Sequence, residues 1–113
     1  MPHLLLEYSA PLVDDPQIQQ TLAQLHMAVC RCELFIESHI KLRAYPSDHY
    51  LVGGESQPFI HLQARIKPGR SDVQKSQLSE ALLESLSAQP WVKGVITVEV
   101  VEMDNKSYAK RLI

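Results

Sequence analysis

The sequence predicts an α/β (α+β) fold in which two tandem β-α-β units form a four-stranded sheet with two helices on one face. Three observations predict it. Residues 2–8 and Phe59–Ile66 alternate as half-buried strands do. Each is followed by a stretch with apolar residues at helical spacing, opened by capping residues. The order strand, helix, strand is then written twice, with an offset of about 57 residues between Pro2 and Phe59. At 113 residues, 45% hydrophobic and 21% charged, residues 1–113 read as one domain with one modest core, and the pseudo-repeats span about 2–57 and 58–113.

The first strand, Pro2 to Tyr8, ends at a turn through Ser9, Ala10 and Pro11. Asp14 or Asp15 caps the next helix and Pro16 occupies its first turn, where a missing N–H costs nothing. Ile18, Leu22, Leu25 and Val29 define its core stripe. From Glu37 to Tyr45 the chain alternates again, with Ile40, Leu42 and Ala44 on one side and His39, Lys41, Arg43 and Tyr45 on the other. That pattern predicts a strand with one apolar and one cationic, aromatic face, closed by a turn at Pro46-Ser47-Asp48. Gly53-Gly54 marks a further hairpin or loop.

In the second half, Ile60, Leu62, Ala64 and Ile66 face one way and His61, Gln63 and Arg65 the other. After a Pro68-Gly69 turn, Ser71 and Gln74 form a capping box, which starts a helix with Val73, Leu78, Ala81, Leu82 and Leu86 on its apolar face. Val95–Met103 is rich in β-branched residues and apolar on both faces, as in a strand covered from both sides. Asp104–Ile113 is polar almost to its end and is expected to form a turn with a short strand or helix. Two parallel units with right-handed crossovers place both helices on one side of the sheet. The other side is left bare, and with so much Val, Ile and Leu in the strands it is expected to self-associate.

Composition excludes several function classes. The net charge is −2 and basic residues are dispersed, which argues against nucleic acid as a partner. No apolar stretch is long enough to span a bilayer, and the N-terminus lacks a signal-peptide pattern, so the expected location is cytoplasmic, with no membrane partner. Cys30 and Cys32 lie two positions apart on a helix and point in different directions, so they read as reduced thiols and not as a disulfide or metal site. Trp91 reads as core or subunit interface. His3, His26, His39, His49 and His61 fall on separate elements, with His39 near Lys41 on the polar face.

Pro2 is the candidate for general-base chemistry. If Met1 is removed, the chain begins with a secondary amine that no other residue supplies. Held in an apolar pocket, such an amine binds its proton less tightly, because burial disfavours the charged form. It then serves as a general base near neutral pH. The alternative reading is that Pro2 merely opens a strand, where its missing N–H is not needed.

Met1-Pro2-His3-Leu4-Leu5-Leu6-Glu7-Tyr8-Ser9 resembles the amino terminus of the 5-carboxymethyl-2-hydroxymuconate Δ-isomerases of the tautomerase superfamily. Pro68-Gly69-Arg70-Ser71-Asp72-Val73-Gln74-Lys75 is similar to a segment of 4-oxalocrotonate tautomerase, whose chain is a single strand–helix–strand unit. The resemblance implies a tautomerase/MIF-like homotrimer that needs no cofactor or metal. It also implies removal of Met1, Pro2 as catalytic base, and a small carboxylate substrate drawn from aromatic catabolism. Arg70 would hold a substrate carboxylate, for which a guanidinium fork is suited. The family's arginine on the second strand falls on Lys41, which keeps the charge and loses the fork, so either Lys41 or Arg43 supplies that cation. Tyr45 either borders the pocket or packs, and Thr97 stands where the single-unit enzymes carry an arginine. Two other readings stay open: a promiscuous tautomerase of other enol or keto acids, and a non-catalytic trimeric binding protein.

Overall fold

The computed structural model describes residues 1–113. The chain runs β1 (His3–Ser9), α1 (Asp15–Arg31), β2 (Lys41–Ser47), β3 (Phe59–Ile66), α2 (Asp72–Ser87) and β4 (Val95–Glu102), with short 3-10 turns at Ala10–Leu12 and Glu37–His39. The four strands form one sheet in the order β2-β1-β3-β4. β1 is parallel to β2 and β3 is parallel to β4, while β1 and β3 run antiparallel at the centre. Each β-α-β unit is thus a parallel pair, and the two units join head to tail.

Both helices start where local chemistry demands. Asp14 accepts from the Gln17 backbone N–H at 3.0 Å while Gln17 Oε1 accepts from the Asp14 N–H, so a capping box opens α1 with Asp14 as its cap. At α2 the Ser71 hydroxyl accepts from the Gln74 N–H at 3.1 Å, and Gln74 Oε1 accepts from the Ser71 N–H at 2.9 Å. Replacing Ser71 with Ala orphans one of these donors and is expected to destabilise the fold by about 1 kcal/mol. Urea unfolding reads this as a lower midpoint at unchanged slope.

The core lies between the sheet and the helix pair. Leu4, Leu6 and Tyr8 of β1 and Ile60, Leu62, Ala64 and Ile66 of β3 are buried against Ile18, Leu25 and Val29 of α1 and Leu78, Leu82 and Leu86 of α2. Trp91 belongs to this core. Its Nε1–H donates to Thr21 Oγ1 at 2.9 Å, and its ring meets Tyr8 edge-on at 5.9 Å. Cys30 and Cys32 are free thiols. No helix is long and apolar enough to cross a membrane.

Several expectations are corrected. The second strand begins at Lys41, because Glu37–His39 closes a 3-10 turn in which the His39 N–H reaches Ile36 O and the Ile40 N–H reaches Glu37 O. Alternation over so few residues does not separate a strand from a tight turn. Pro46 and Ser47 continue β2 opposite Tyr8 and Ser9 instead of turning, since β2 is an edge strand and tolerates a missing donor. Val73 is 65% exposed. It precedes Leu78 by five positions, about 140° around the axis from the Leu stripe. Asp104–Ile113 forms neither strand nor helix.

The uncovered sheet face also differs from expectation. β4 is covered on one side only, leaving Val95, Thr97 and Glu99 exposed. The registered residues across that face include Lys41, His3, Arg65, Arg43, Gln63, Glu99, Glu7 and His61. Most of the strands' aliphatic residues point to the helix side, because alternate positions face alternate layers. The bare face is therefore largely polar and charged. Gly53-Gly54 makes a tight hairpin, both at positive φ, with paired bonds between Val52 and Glu55.

Candidate active site

The chain terminus sits between two irregular segments. Pro2 is fully buried at the head of β1, and its carbonyl accepts from the Lys41 N–H at 3.0 Å, extending the parallel ladder by one bond. Met1 precedes it in place, so the Pro2 nitrogen here is an amide, and the Met1 amine donates to His39 O at 2.9 Å.

One wall comes from the segment after α1. Glu33 adopts a left-handed backbone, φ 55°, which turns the chain out of the helix toward Leu34, Phe35 and Ile36. The opposite wall is the β3–α2 turn, where Gly69 at φ 122° allows a reversal that presents Arg70. Arg70 Nη2 donates to Leu34 O at 2.7 Å, and its guanidinium lies 4.6 Å from the Phe35 ring centre, so the side chain is braced before any ligand arrives. Together these segments enclose a cleft of about 370 Å³ lined by Met1, Leu34, Phe35, Ile36, His39, Lys67 and Arg70, with Glu33 as the lone carboxylate. A larger hollow of about 580 Å³ lies between α1 and α2. It is lined mainly by Gln, Ala and Ser side chains and shares no lining residue with the cleft at the chain terminus, so the chemistry favours the smaller cleft.

The cleft is cationic although the whole chain carries −2. Burial pushes the Met1 amine down from its ordinary 8.0 to about 5, assisted by the adjacent Lys41 ammonium and by the charges of Lys110 and Lys67. His39 is lowered as well, by Lys110 first and then by burial. Lys41 Nζ donates to the same His39 carbonyl, at 2.8 Å, that receives the Met1 amine. Lys41 thus borders the amine without lining the cleft itself.

Arg43 is placed differently. It lies on the uncovered sheet face with Nη1 3.1 Å from His3 Nδ1, and His3 Nε2 is 3.0 Å from the Tyr108 hydroxyl. Because guanidinium only donates, Nδ1 accepts and Nε2–H faces Tyr108. Burial, then Arg43 and Lys41, lower the His3 pKa and keep this ring neutral. Tyr45, on the same face, is 48% exposed and outside the cleft lining.

The structure therefore brings Pro2, Lys41 and Arg70 around one terminus and sets Arg43 apart from it. Phe35, Lys67 and Lys110 were not evident in the sequence. Lys67 precedes the Pro68-Gly69 turn and faces the Tyr108 ring at 5.3 Å, so a cation flanking that turn was the available signal. Phe35 and Lys110 lie in segments without periodicity and carried none. The one cluster of metal-ligating groups, His26, Cys30 and Glu37, stands outside the cleft lining.

Comparison with known proteins bears on this geometry. A family model described as 5-carboxymethyl-2-hydroxymuconate isomerase matches residues 2–111. No curated protein sequence matches the chain. Among solved structures, a 5-carboxymethyl-2-hydroxymuconate isomerase from Deinococcus radiodurans R1 is 28% identical with a TM-score of 0.79, covering 97% of this chain and 88% of its own. A fused 4-OT solved as a symmetric trimer superposes with a TM-score of 0.80 at 18% identity, over 96% of this chain and 90% of its own. A macrophage migration inhibitory factor-like protein from Entamoeba histolytica gives 0.78 at 15% identity, over 97% and 95%. The last two share the fold. With the family match spanning nearly every residue that builds the sheet, the helices and the cleft, the chain belongs to the 5-carboxymethyl-2-hydroxymuconate isomerase family and is an isomerase of the tautomerase superfamily.

Proposed function

We propose that the protein shifts a double bond in 5-carboxymethyl-2-hydroxymuconate or a similar 2-hydroxydienoate, with Pro2 as general base after Met1 is removed. The observation that carries this reading is the depressed amine at the chain terminus, set in a cleft with Lys67 and Arg70 and bordered by Lys41 and Lys110. Loss of Met1 exposes the Pro2 nitrogen one residue further in, where the same burial and the same cations act on it. The amine takes the proton from the enol oxygen and returns it to a carbon of the conjugated chain. No atom is gained or lost, and the enol becomes a conjugated ketone. Arg70 holds a carboxylate, and the lysines stabilise the negative charge that develops on the dienolate.

The test is turnover of 5-carboxymethyl-2-hydroxymuconate, followed by its ultraviolet absorbance, using protein whose intact mass shows Met1 absent. Failure of that material to turn over any 2-hydroxydienoate would leave the non-catalytic binding protein as the better reading. A second enzymatic reading rests on a specific feature: Arg70 is the one guanidinium lining the cleft, since Lys41 replaces an arginine and Arg43 is engaged with His3. That arrangement favours looser selection among enol acids, and a panel of mono- and dicarboxylate enols separates the two by their kcat/KM ratios.

Lys41 supplies a further check. Its adjacent positive charge lowers the amine, so Lys41→Met is expected to raise the amine pKa and move the acid limb of the kcat/KM profile to higher pH. An unmoved limb would remove Lys41 from the mechanism.

The assembly proposed is a homotrimer. The bare sheet face and two open edge strands, β2 and β4, offer unpaired surface, and its mixed charges, Arg43 and Arg65 against Glu7 and Glu99, suit polar packing between copies. Light scattering on the purified chain decides it, with a monomeric mass against the proposal.

A further inference from the structure

We propose that His26, Cys30 and Glu37 form a divalent transition-metal site, suited to Zn2+, that clips one wall of the cleft to α1. His26 and Cys30 are four residues apart on α1 and so share one helix face. The reversal at Glu33 then carries the chain back, and the 3-10 turn Glu37–His39 places a carboxylate beside them. His26 Nε2 lies 3.6 Å from Cys30 Sγ and 3.6 Å from Glu37 Oε1, and all three ligand atoms fall within 4.8 Å of one another.

Those spacings match a metal coordination sphere. Zn–S of about 2.3 Å and Zn–N or Zn–O of about 2.0–2.1 Å at tetrahedral angles put S and N about 3.6 Å apart, and N and O about 3.3 Å apart. The His26–Glu37 separation of 3.6 Å is a few tenths of an ångström longer than that, and Glu37, 74% exposed in its side chain, is free to adjust. Without a metal, His26 is within hydrogen-bond range of the Cys30 sulfur and ion-pair range of the Glu37 carboxylate, and a bound cation replaces these contacts with coordinate bonds. A mixed sulfur, nitrogen and oxygen donor set selects a borderline cation and disfavours Ca2+ or Mg2+, which take oxygen ligands. Three protein ligands leave a fourth position for water, and the partly exposed His26 gives access.

The consequence reaches the cleft through the backbone. Glu37 opens the turn whose last residue, His39, offers its carbonyl to both the Met1 amine and Lys41 Nζ. Leu34, Phe35 and Ile36, between Cys30 and Glu37 in sequence, form the wall against which Arg70 is braced. A metal bound by Cys30, His26 and Glu37 closes that loop through coordinate bonds at both ends and restrains it.

Titration of the metal-free chain with Co2+ tests the site without reference to activity. One equivalent per chain is expected to bind saturably, produce a thiolate-to-cobalt charge-transfer band, and be displaced by Zn2+. Hydrogen exchange of amides 34–39 is expected to slow when Zn2+ is added. Cys30→Ser should abolish the band, while Cys32→Ser, on a side chain that lines the α1–α2 hollow instead, should leave it. His26→Ala and Glu37→Gln should each weaken Co2+ binding by at least about tenfold, the minimum seen even for residues that only support a ligand. No saturable binding by the wild-type chain, a band that survives in Cys30→Ser, or unchanged affinity in both other variants would overturn the proposal. The wild-type titration does not depend on how any variant folds.

Discussion

Pro2→Ala is expected to reduce kcat/KM toward a 2-hydroxydienoate by about 10²-fold or more, the usual contribution of a positioned general base. The substitution keeps a terminal amine but removes the ring that holds it. Pro2 is fully buried at the head of β1, anchored through its carbonyl to the Lys41 N–H, so the ring fixes where the nitrogen sits. An alanine amine turns about bonds that proline locks and loses the packing of the ring. Unfolding by heat or urea separates this from a general loss of structure, since activity is expected to fall far more than the folded fraction. Full activity in a folded Pro2→Ala chain would sink the mechanism.

The pH profile sharpens the same test. A base works in its unprotonated form, so activity is present above the amine pKa and is lost as pH falls through it. An ordinary α-amino group, at about 7.7–8.0, would be largely protonated below neutrality. Burial and the charges of Lys41, Lys110 and Lys67 act to lower an amine at this terminus, as they do for Met1, which falls to about 5. The acid limb of kcat/KM is therefore expected well below the ordinary α-amino range. A limb at or above pH 8 would mean that the working amine does not feel these cations.

Arg70→Ala is expected to lower kcat/KM for carboxylate substrates by about 10- to 100-fold, mostly through KM. A hydrogen bond to a charged group is worth about 1.5–3 kcal/mol, and each 1.4 kcal/mol is a factor of ten. Arg70 is well suited to this role, because one guanidinium nitrogen is held by Leu34 O at 2.7 Å and its face lies on Phe35, so little side-chain freedom is lost on binding. Arg70→Lys keeps the charge and loses the planar fork, and its expected effect is intermediate. Equal KM values for wild type and Arg70→Ala would show that the carboxylate is held elsewhere, with Lys67 the nearest alternative in the cleft lining.

The parts of the molecule legible in advance share a property: their signal is local and repeated. Ser71 with Gln74 specifies a helix start because four consecutive residues contain both halves of the capping box. The Phe59–Ile66 strand reads cleanly because its buried and half-buried residues alternate without a break over eight positions. By contrast, Glu37–His39 mimics a strand over three residues and is a turn, and Pro46 mimics a turn and is a strand residue. Hydrophobicity alone misplaces Val73, since helical phase puts it away from the Leu78, Leu82 and Leu86 stripe. The position of Pro2 and the turn containing Arg70 were marked by residue type at fixed places in the chain. Phe35, Lys67 and Lys110 were not, because nothing in their sequence neighbourhoods says which other segment they meet.

By itself the sequence determined the doubled strand–helix–strand order, the two helix starts, the apolar layer between sheet and helices, and a proline at the second position with cations scattered after it. These follow from period, capping and turn chemistry, which act within a few residues. Only the tertiary structure decided that the central strands run antiparallel and that the uncovered face is polar. It alone converged the chain terminus, the loop after α1 and the β3–α2 turn on one cleft, braced Arg70 on Leu34 and Phe35, and turned Arg43 toward His3. Long-range pairing decides such matters, because a side chain's potential and its partners depend on segments that are distant in sequence and meet only when the sheet closes.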